Sequence, residues 1–105
     1  MMSGLPAGGL RVGLVGGGPG GAALLDLLLD WPGGRVVVVV DPRQDAPAIE
    51  RARVFGIPTA AHHLDVFAHP VNVVLEVTGQ DAILEELLQA RPSGVEVIAE
   101  LLTHA

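Results

Sequence analysis

Gly16-Gly17-Gly18-Pro19-Gly20-Gly21 stands between an apolar run, Leu10 to Val15, and a leucine-rich stretch, Ala22 to Asp30. An acid, Asp41, follows twenty positions after Gly21, at the end of the next apolar run. The glycines satisfy G-x-G-x-x-G between a predicted strand and a predicted helix, and the chemistry of such a set is binding rather than bond-breaking. Gly16 makes the tight turn out of the strand, Gly18 lets a diphosphate reach the backbone, and Gly21 lets helix and strand pack closely. Free N–H groups at the helix start, with the positive end of its dipole, complement the phosphate charge. Pro19 removes one donor but fixes a helix-compatible φ.

At the end of the second run, the Asp41 carboxylate is placed to accept hydrogen bonds from ribose hydroxyls and to repel a 2′-phosphate, which favours NAD over NADP. Arg43 is close enough to pair with such a phosphate, so NADP stays open. Asp41-Pro42 is also an ordinary strand-end turn pair. Thr78-Gly79 closes a later apolar run, where a nicotinamide would pass at the crevice of a doubly wound sheet. The expected cofactor-binding set is therefore Gly16, Gly17, Gly18, Pro19, Gly20, Gly21, Asp41, Pro42, Arg43, Thr78 and Gly79. Glu76 and Glu100, near strand ends, read as carboxylates hydrogen-bonded to backbone. His62 and His63 are adjacent and expected to point apart; with His69 and His104 they lack metal-ligand spacing and read as solvated loop residues.

The elements that must position this set alternate in type. Leu10 to Val15 reads as a buried parallel strand, and Ala22 to Asp30 as a helix apolar nearly all round and so buried on more than one side. Arg35 to Val40, with five consecutive valines, is a second strand. Asp45 reads as the N-cap of a helix with Pro47 in its first turn and Ala48, Ile49, Ala52 and Phe55 on its apolar face. Thr59 to Ala61 is a short edge strand, and Leu64 to Ala68 a turn of helix. Val71 to Val77 is a further strand. Asp81 to Arg91 is an amphipathic helix with Ile83, Leu84, Leu87 and Leu88 inward, and Val95 to Ala99 a last strand. Strands alternating with helices predict right-handed βαβ units: a three-layer, Rossmann-like, doubly wound parallel sheet of order 3-2-1-4-5 in a single α/β domain.

With 105 residues, half of them hydrophobic, the chain is sized for one domain, 10–105, behind a small, aperiodic leader, 1–9, expected to be flexible. A net charge of −6 and the absence of lysine argue against nucleic acid or an anionic membrane as partner. No cysteine means no disulfide and no thiolate nucleophile. Without tyrosine or lysine there is no Tyr/Lys proton relay, Schiff base or P-loop lysine. No apolar stretch approaches the ~20 residues of a membrane span, so cytoplasmic residence is expected. The last strand would be a partly apolar edge, expected to meet a second copy or a missing downstream domain.

From Leu10 to about Leu101 the chain resembles the N-terminal NAD(P)-binding domain of Gfo/Idh/MocA-type oxidoreductases and of homoserine and aspartate dehydrogenases. The likeness lies in Val12 to Gly21, Val39-Val40-Asp41-Pro42, the Gly56-Ile57-Pro58 turn and Val74 to Gly79. It implies NAD(P) binding through Gly16, Gly18, Gly21, Asp41 and Thr78. It implies no catalytic residue here, because those enzymes carry acid/base groups on a downstream domain. Rossmann-like modules of this kind also resemble sensors fused to signalling proteins. The glycine run is similar to the flavoprotein pattern G-x-G-P-x-G as well, which makes FAD a weaker alternative. The first expectation is thus an NAD(H)-preferring binding module, a sensor or the cofactor domain of a larger protein, without its own catalysis. The alternatives are the cofactor-binding fragment of an NAD(P)-dependent dehydrogenase, or a degenerate scaffold for oligomerisation.

Overall fold

The structure, a computed structural model, describes residues 8–99. Five strands, β1 (Leu10–Val15), β2 (Gly34–Val40), β3 (Thr59–Ala60), β4 (Val73–Glu76) and β5 (Glu96–Ala99), alternate with helices α1 (Pro19–Leu29), α2 (Pro47–Val54) and α3 (Asp81–Ala90). A 3₁₀ helix over His63–Ala68 joins β3 to β4. Every strand pairing is parallel and the order is β3-β2-β1-β4-β5, so the chain is one doubly wound, Rossmann-like α/β domain as expected. Most of the leader expected over 1–9, with Glu100, Leu101 and His104, lies outside the described residues.

Alternation along the strands divides the core in two. Val12, Leu14, Val36 and Val39 join Leu25 of α1 and Ala48, Ile49 and Ala52 of α2 on one face. Val15, Val38, Val40 and Val74 meet Val66 of the 3₁₀ helix and Leu87 of α3 on the other. The valine run serves both faces out of strict alternation because the register slips: Val12 pairs with Val36, but Gly13 pairs with Val38. That bulge inserts Val37 and resets which face each later valine covers. Gly13 itself permits the second layer, since a Cβ there would come within 2.4 Å of Val66 Cγ2.

Local expectations fail where packing overrules pattern. α1 starts at Pro19, not Ala22, and is not buried on several sides: Leu27 is 71% exposed, and only Gly21 and Leu25 are buried. A helix flanking one face of a sheet buries a single stripe whatever its composition. Ala46, not Asp45, is the N-cap of α2, and Asp45 lies exposed near Arg43. Phe55 is 55% exposed, because the helix ends at Val54 and the chain leaves it through Gly56 at φ 71°. Leu88 is exposed too, Leu87 alone of α3 being buried. β4 is shorter at both ends than Val71 to Val77, as Val77 already belongs to the loop after it.

At the amino ends of the strands, Asn72 fastens the entry to β4 onto β1. Its Oδ1 accepts from the Arg11 N–H at 2.6 Å, and its Nδ2 donates to the Gly9 carbonyl at 3.3 Å. Polar satisfaction here leaves the opposite, carboxyl ends of the strands for a cleft.

Candidate functional site

The turn after β1 is held by two backbone contacts that sequence spacing did not reveal. Gly16 N–H donates to the Val40 carbonyl at 2.9 Å, and the Gly17 carbonyl accepts from the Ala48 N–H at 2.9 Å, linking the loop to α2. Gly16 needs its glycine for two reasons: its φ is 117°, and a Cβ would stand 2.9 Å from Val77 Cγ2. At Gly21 the demand is steric, a Cβ falling 2.0 Å from the Gly16 carbonyl oxygen. Gly18 is different. Its φ of −69° suits any residue, and a Cβ there meets nothing within 4 Å. The space left open at that position is external to the fold, as a ligand would require.

Helix α1 then begins with Gly18 as N-cap and Pro19 at N1, with no side-chain cap and no acidic residue in its first turn. The first turns of α2 and α3 hold Glu50 and Asp81. An α-helix presents N–H groups without intrahelical partners at its start, and these carry the positive end of its dipole. In α1 nothing in the first turn neutralises that end.

Across from it lies Asp41, half-buried. One carboxylate oxygen accepts from Gly17 N–H at 2.7 Å and the other from Arg43 N–H at 2.8 Å. Its backbone carbonyl accepts from Gln44 Nε2 at 2.7 Å. The turn role read for Asp41-Pro42 and the link to the glycine loop therefore coexist in one side chain. Both carboxylate oxygens keep lone pairs, since an ionised carboxylate offers about four acceptor positions.

A cleft of about 300 Å³ is lined by Gly16, Gly17, Gly18, Asp41, Pro42, Arg43 and Thr78, with Val77, Gln80 and Ile83. Beside it a mostly apolar recess of about 140 Å³ shares Gly16, Asp41, Pro42, Thr78 and Ile83 and adds Val15, Val40, Ala61, His62 and His63. Seven of the eleven expected residues thus face one space. Pro19, Gly20 and Gly21 sit in the first turn of α1 behind it, and Gly79 lies on the loop beyond Thr78 without lining it.

The histidines correct the sequence reading. His62 and His63 do not point apart: their rings stack with centroids 4.4 Å apart and planes 21° from parallel. Adjacent side chains diverge in a strand, whereas here His62 is the extended N-cap of the 3₁₀ helix that His63 begins. Nor is His63 a solvated loop residue, because its Nε2 lies 2.7 Å from Glu86 Oε1 and its side chain is only 17% exposed. Both rings line the recess, as do Ala61 and Ile83. No spacing rule pointed to these four, which come from three elements and meet only through the fold.

Glu76, the last residue of β4, is 3% exposed. Its Oε2 accepts from Thr78 N–H at 2.7 Å, from the Thr78 hydroxyl, and from Gly79 N–H at 3.2 Å. Thr78 Oγ1 in turn accepts from Gln80 N–H at 3.0 Å. The reading of Glu76 as a strand-end carboxylate bonded to backbone agrees with this geometry. Among the described residues no group of three or more His, Asp or Glu could hold a metal ion, and no helix is long and apolar enough to cross a membrane.

No protein-family model and no curated protein matches the chain. Solved structures do. A myo-inositol dehydrogenase from Corynebacterium glutamicum ATCC 13032 matches with a TM-score of 0.71 and 22% identity over 87% of this chain and 27% of its own. An NAD-binding protein from Listeria innocua matches with a TM-score of 0.66 and 25% identity, over 86% of this chain and 26% of its own. A myo-inositol dehydrogenase from Lactobacillus casei, solved with NAD(H) and myo-inositol, matches with a TM-score of 0.69 and 24% identity over 87% and 28%. The chain thus spans about a quarter of the length of the structures it matches. They uphold, in fold, the resemblance to the NAD(P)-binding domain of Gfo/Idh/MocA-type oxidoreductases.

Proposed function

We propose that this chain is the NAD(H)-binding portion of an NAD-dependent dehydrogenase, with the cofactor held in the cleft at the carboxyl ends of β1, β2 and β4. The observation that carries the reading is the pairing of an uncapped, acid-free α1 N-terminus with Asp41 across a cleft lined by Gly16, Gly17 and Gly18. The diphosphate lies against the glycine loop and the start of α1. The adenosine ribose meets Asp41, and the nicotinamide runs toward Thr78 and Gly79. When bound, NAD supplies the hydride-accepting ring; this chain's residues bind and orient it. Pro42 and Arg43 border the ribose, and Arg43 sets how far a 2′-phosphate is tolerated.

The dehydrogenase neighbours favour this reading over a free-standing sensor, and the small share of their length that the chain covers accords with a domain that meets its substrate-binding partner elsewhere. The exposed Ile98 on edge strand β5 suits such a partner or a second copy.

Calorimetric titration with NAD, NADP and FAD tests the assignment. NAD binds most tightly, and Gly18→Val reduces its affinity at least about 100-fold while stability falls by no more than about 1 kcal/mol, because the new side chain enters open space and the only cost is a poorer N-cap. A Gly18→Val protein that binds NAD normally would move the site elsewhere.

A further inference from the structure

Resting on the cofactor reading above, we infer that Glu76 makes this cleft discriminate between the redox states of the nicotinamide, favouring the oxidised, positively charged ring. The argument starts from charge. Glu76 is 3% exposed, and its Oε2 accepts from the Thr78 and Gly79 N–H groups and the Thr78 hydroxyl. Donors converge on Oε2 from three positions, the arrangement of charge-assisted hydrogen bonds to a carboxylate oxygen. Hydrogen bonds of this kind stabilise a negative charge without cancelling it.

No cationic side chain pairs with it among the described residues. The chain has no lysine, and its six arginines are placed elsewhere. Arg11 donates to the Pro70 carbonyl, and Arg35 lies at the start of β2, the opposite end of the sheet. Arg43 lines the cleft at the ribose end, near Asp45. Arg51 pairs with Asp26, Arg53 donates to Gln44, and Arg91 reaches the Val95 carbonyl and Glu96. His63 is engaged by Glu86. Among the described residues Glu76 has no ion-pair partner, and the nearest further charge in sequence is another acid, the exposed Asp81 of the first turn of α3.

The loop that Glu76 holds is the one Thr78 brings to the cleft wall. Glu76 itself lines neither space, but Thr78, which it holds through both N–H and hydroxyl, lines both, so a ring lying there has the carboxylate behind one residue of the cleft wall. The oxidised ring carries one positive charge and the reduced ring none. Every other contact, to the diphosphate, riboses and adenine, is the same for both forms. The differential interaction is therefore electrostatic and belongs to Glu76, with Asp41 acting on the ribose at the far end.

Titration of the wild-type chain and Glu76→Gln with NAD⁺ and NADH tests it. Wild type binds NAD⁺ more tightly than NADH. Glu76→Gln, which keeps a carbonyl acceptor for the loop, lowers that preference roughly fivefold, the scale of a unit-charge attraction in a partly hydrated cleft. The loss appears in NAD⁺ affinity, with NADH nearly unchanged. A folded Glu76→Gln protein with the wild-type preference overturns the inference and leaves the cofactor reading intact. If the variant does not fold, the wild type decides: NADH bound as tightly as NAD⁺ overturns it. Failure of wild type to bind either form removes the cofactor reading, and the inference with it.

Discussion

Two carboxylates end segments of the same sheet on either side of β1, Asp41 after β2 and Glu76 at the tip of β4, and they are used in opposite ways. Asp41 is half-buried and divides its oxygens, one to the glycine loop and one to its own turn, while the residue lines open space. Glu76 is sealed from water and concentrates three donors on one oxygen, all from the two residues that follow it closely in the chain. The first couples two strands and retains acceptors for a ligand; the second organises a loop and acts on a ligand only through its charge. Position in the fold, not residue type, assigns these roles. Both strands are interior, but Asp41 lies one residue beyond β2 and lines the cleft, whereas Glu76 is still within β4 and does not.

The contrast breaks most visibly under truncation. Glu76→Ala strips partners from the Thr78 and Gly79 N–H groups and empties the space of a side chain that is 3% exposed, and is expected to destabilise the fold by about 3 kcal/mol, read from urea unfolding. A loss below about 1 kcal/mol would mean that water replaces the carboxylate and that the loop is not organised by it. Asp41→Ala has a smaller effect on stability, about 1 kcal/mol, because the Asp41 side chain is only half-buried and leaves less space empty; it also weakens NAD by about 1–2 kcal/mol in calorimetry. Equal effects of the two truncations on stability and on binding would erase the distinction drawn between them. Arg43→Ala sharpens it at the ribose end. Stability is expected to change by less than about 0.5 kcal/mol, since its side chain is exposed and lies 3.8 Å from Asp45. NADP should lose affinity relative to NAD in the same variant, and an unchanged NADP-to-NAD ratio would remove Arg43 from the site.

A different pair of positions concerns packing alone. Gly13→Ala pushes a methyl into Val66 and Val71 and should cost about 1–3 kcal/mol, while an alanine at Gly20, which meets nothing within 4 Å, should not destabilise the fold. Thermal unfolding of the two variants separates a glycine needed for layer contact from one that simply opens a helix.

The sheet was legible because its signals are short-range and repeated. Apolar runs ending in glycine or Asp-Pro, separated by helical periodicity, leave few topologies once crossovers are right-handed, and the order 3-2-1-4-5 follows. Gly16 and Gly21 were legible for a similar reason, since a strand-to-helix turn this tight constrains φ and Cβ locally. Burial of individual helix residues was not. Leu27, Phe55 and Leu88 satisfy a pattern, yet whether a stripe is covered depends on which layer exists to cover it.

What the sequence determined by itself, then, is the alternation of elements, the glycine turn and the presence of an acid at the end of β2, each fixed by interactions among near neighbours in the chain. What only the tertiary structure decided is the company these residues keep. The slip that inserts Val37, the Gly17–Asp41 hydrogen bond, and the stacked His62 and His63 beside Ile83 all join residues distant in sequence or on different elements. Such contacts arise when layers pack and exclude water, a condition that no local pattern encodes.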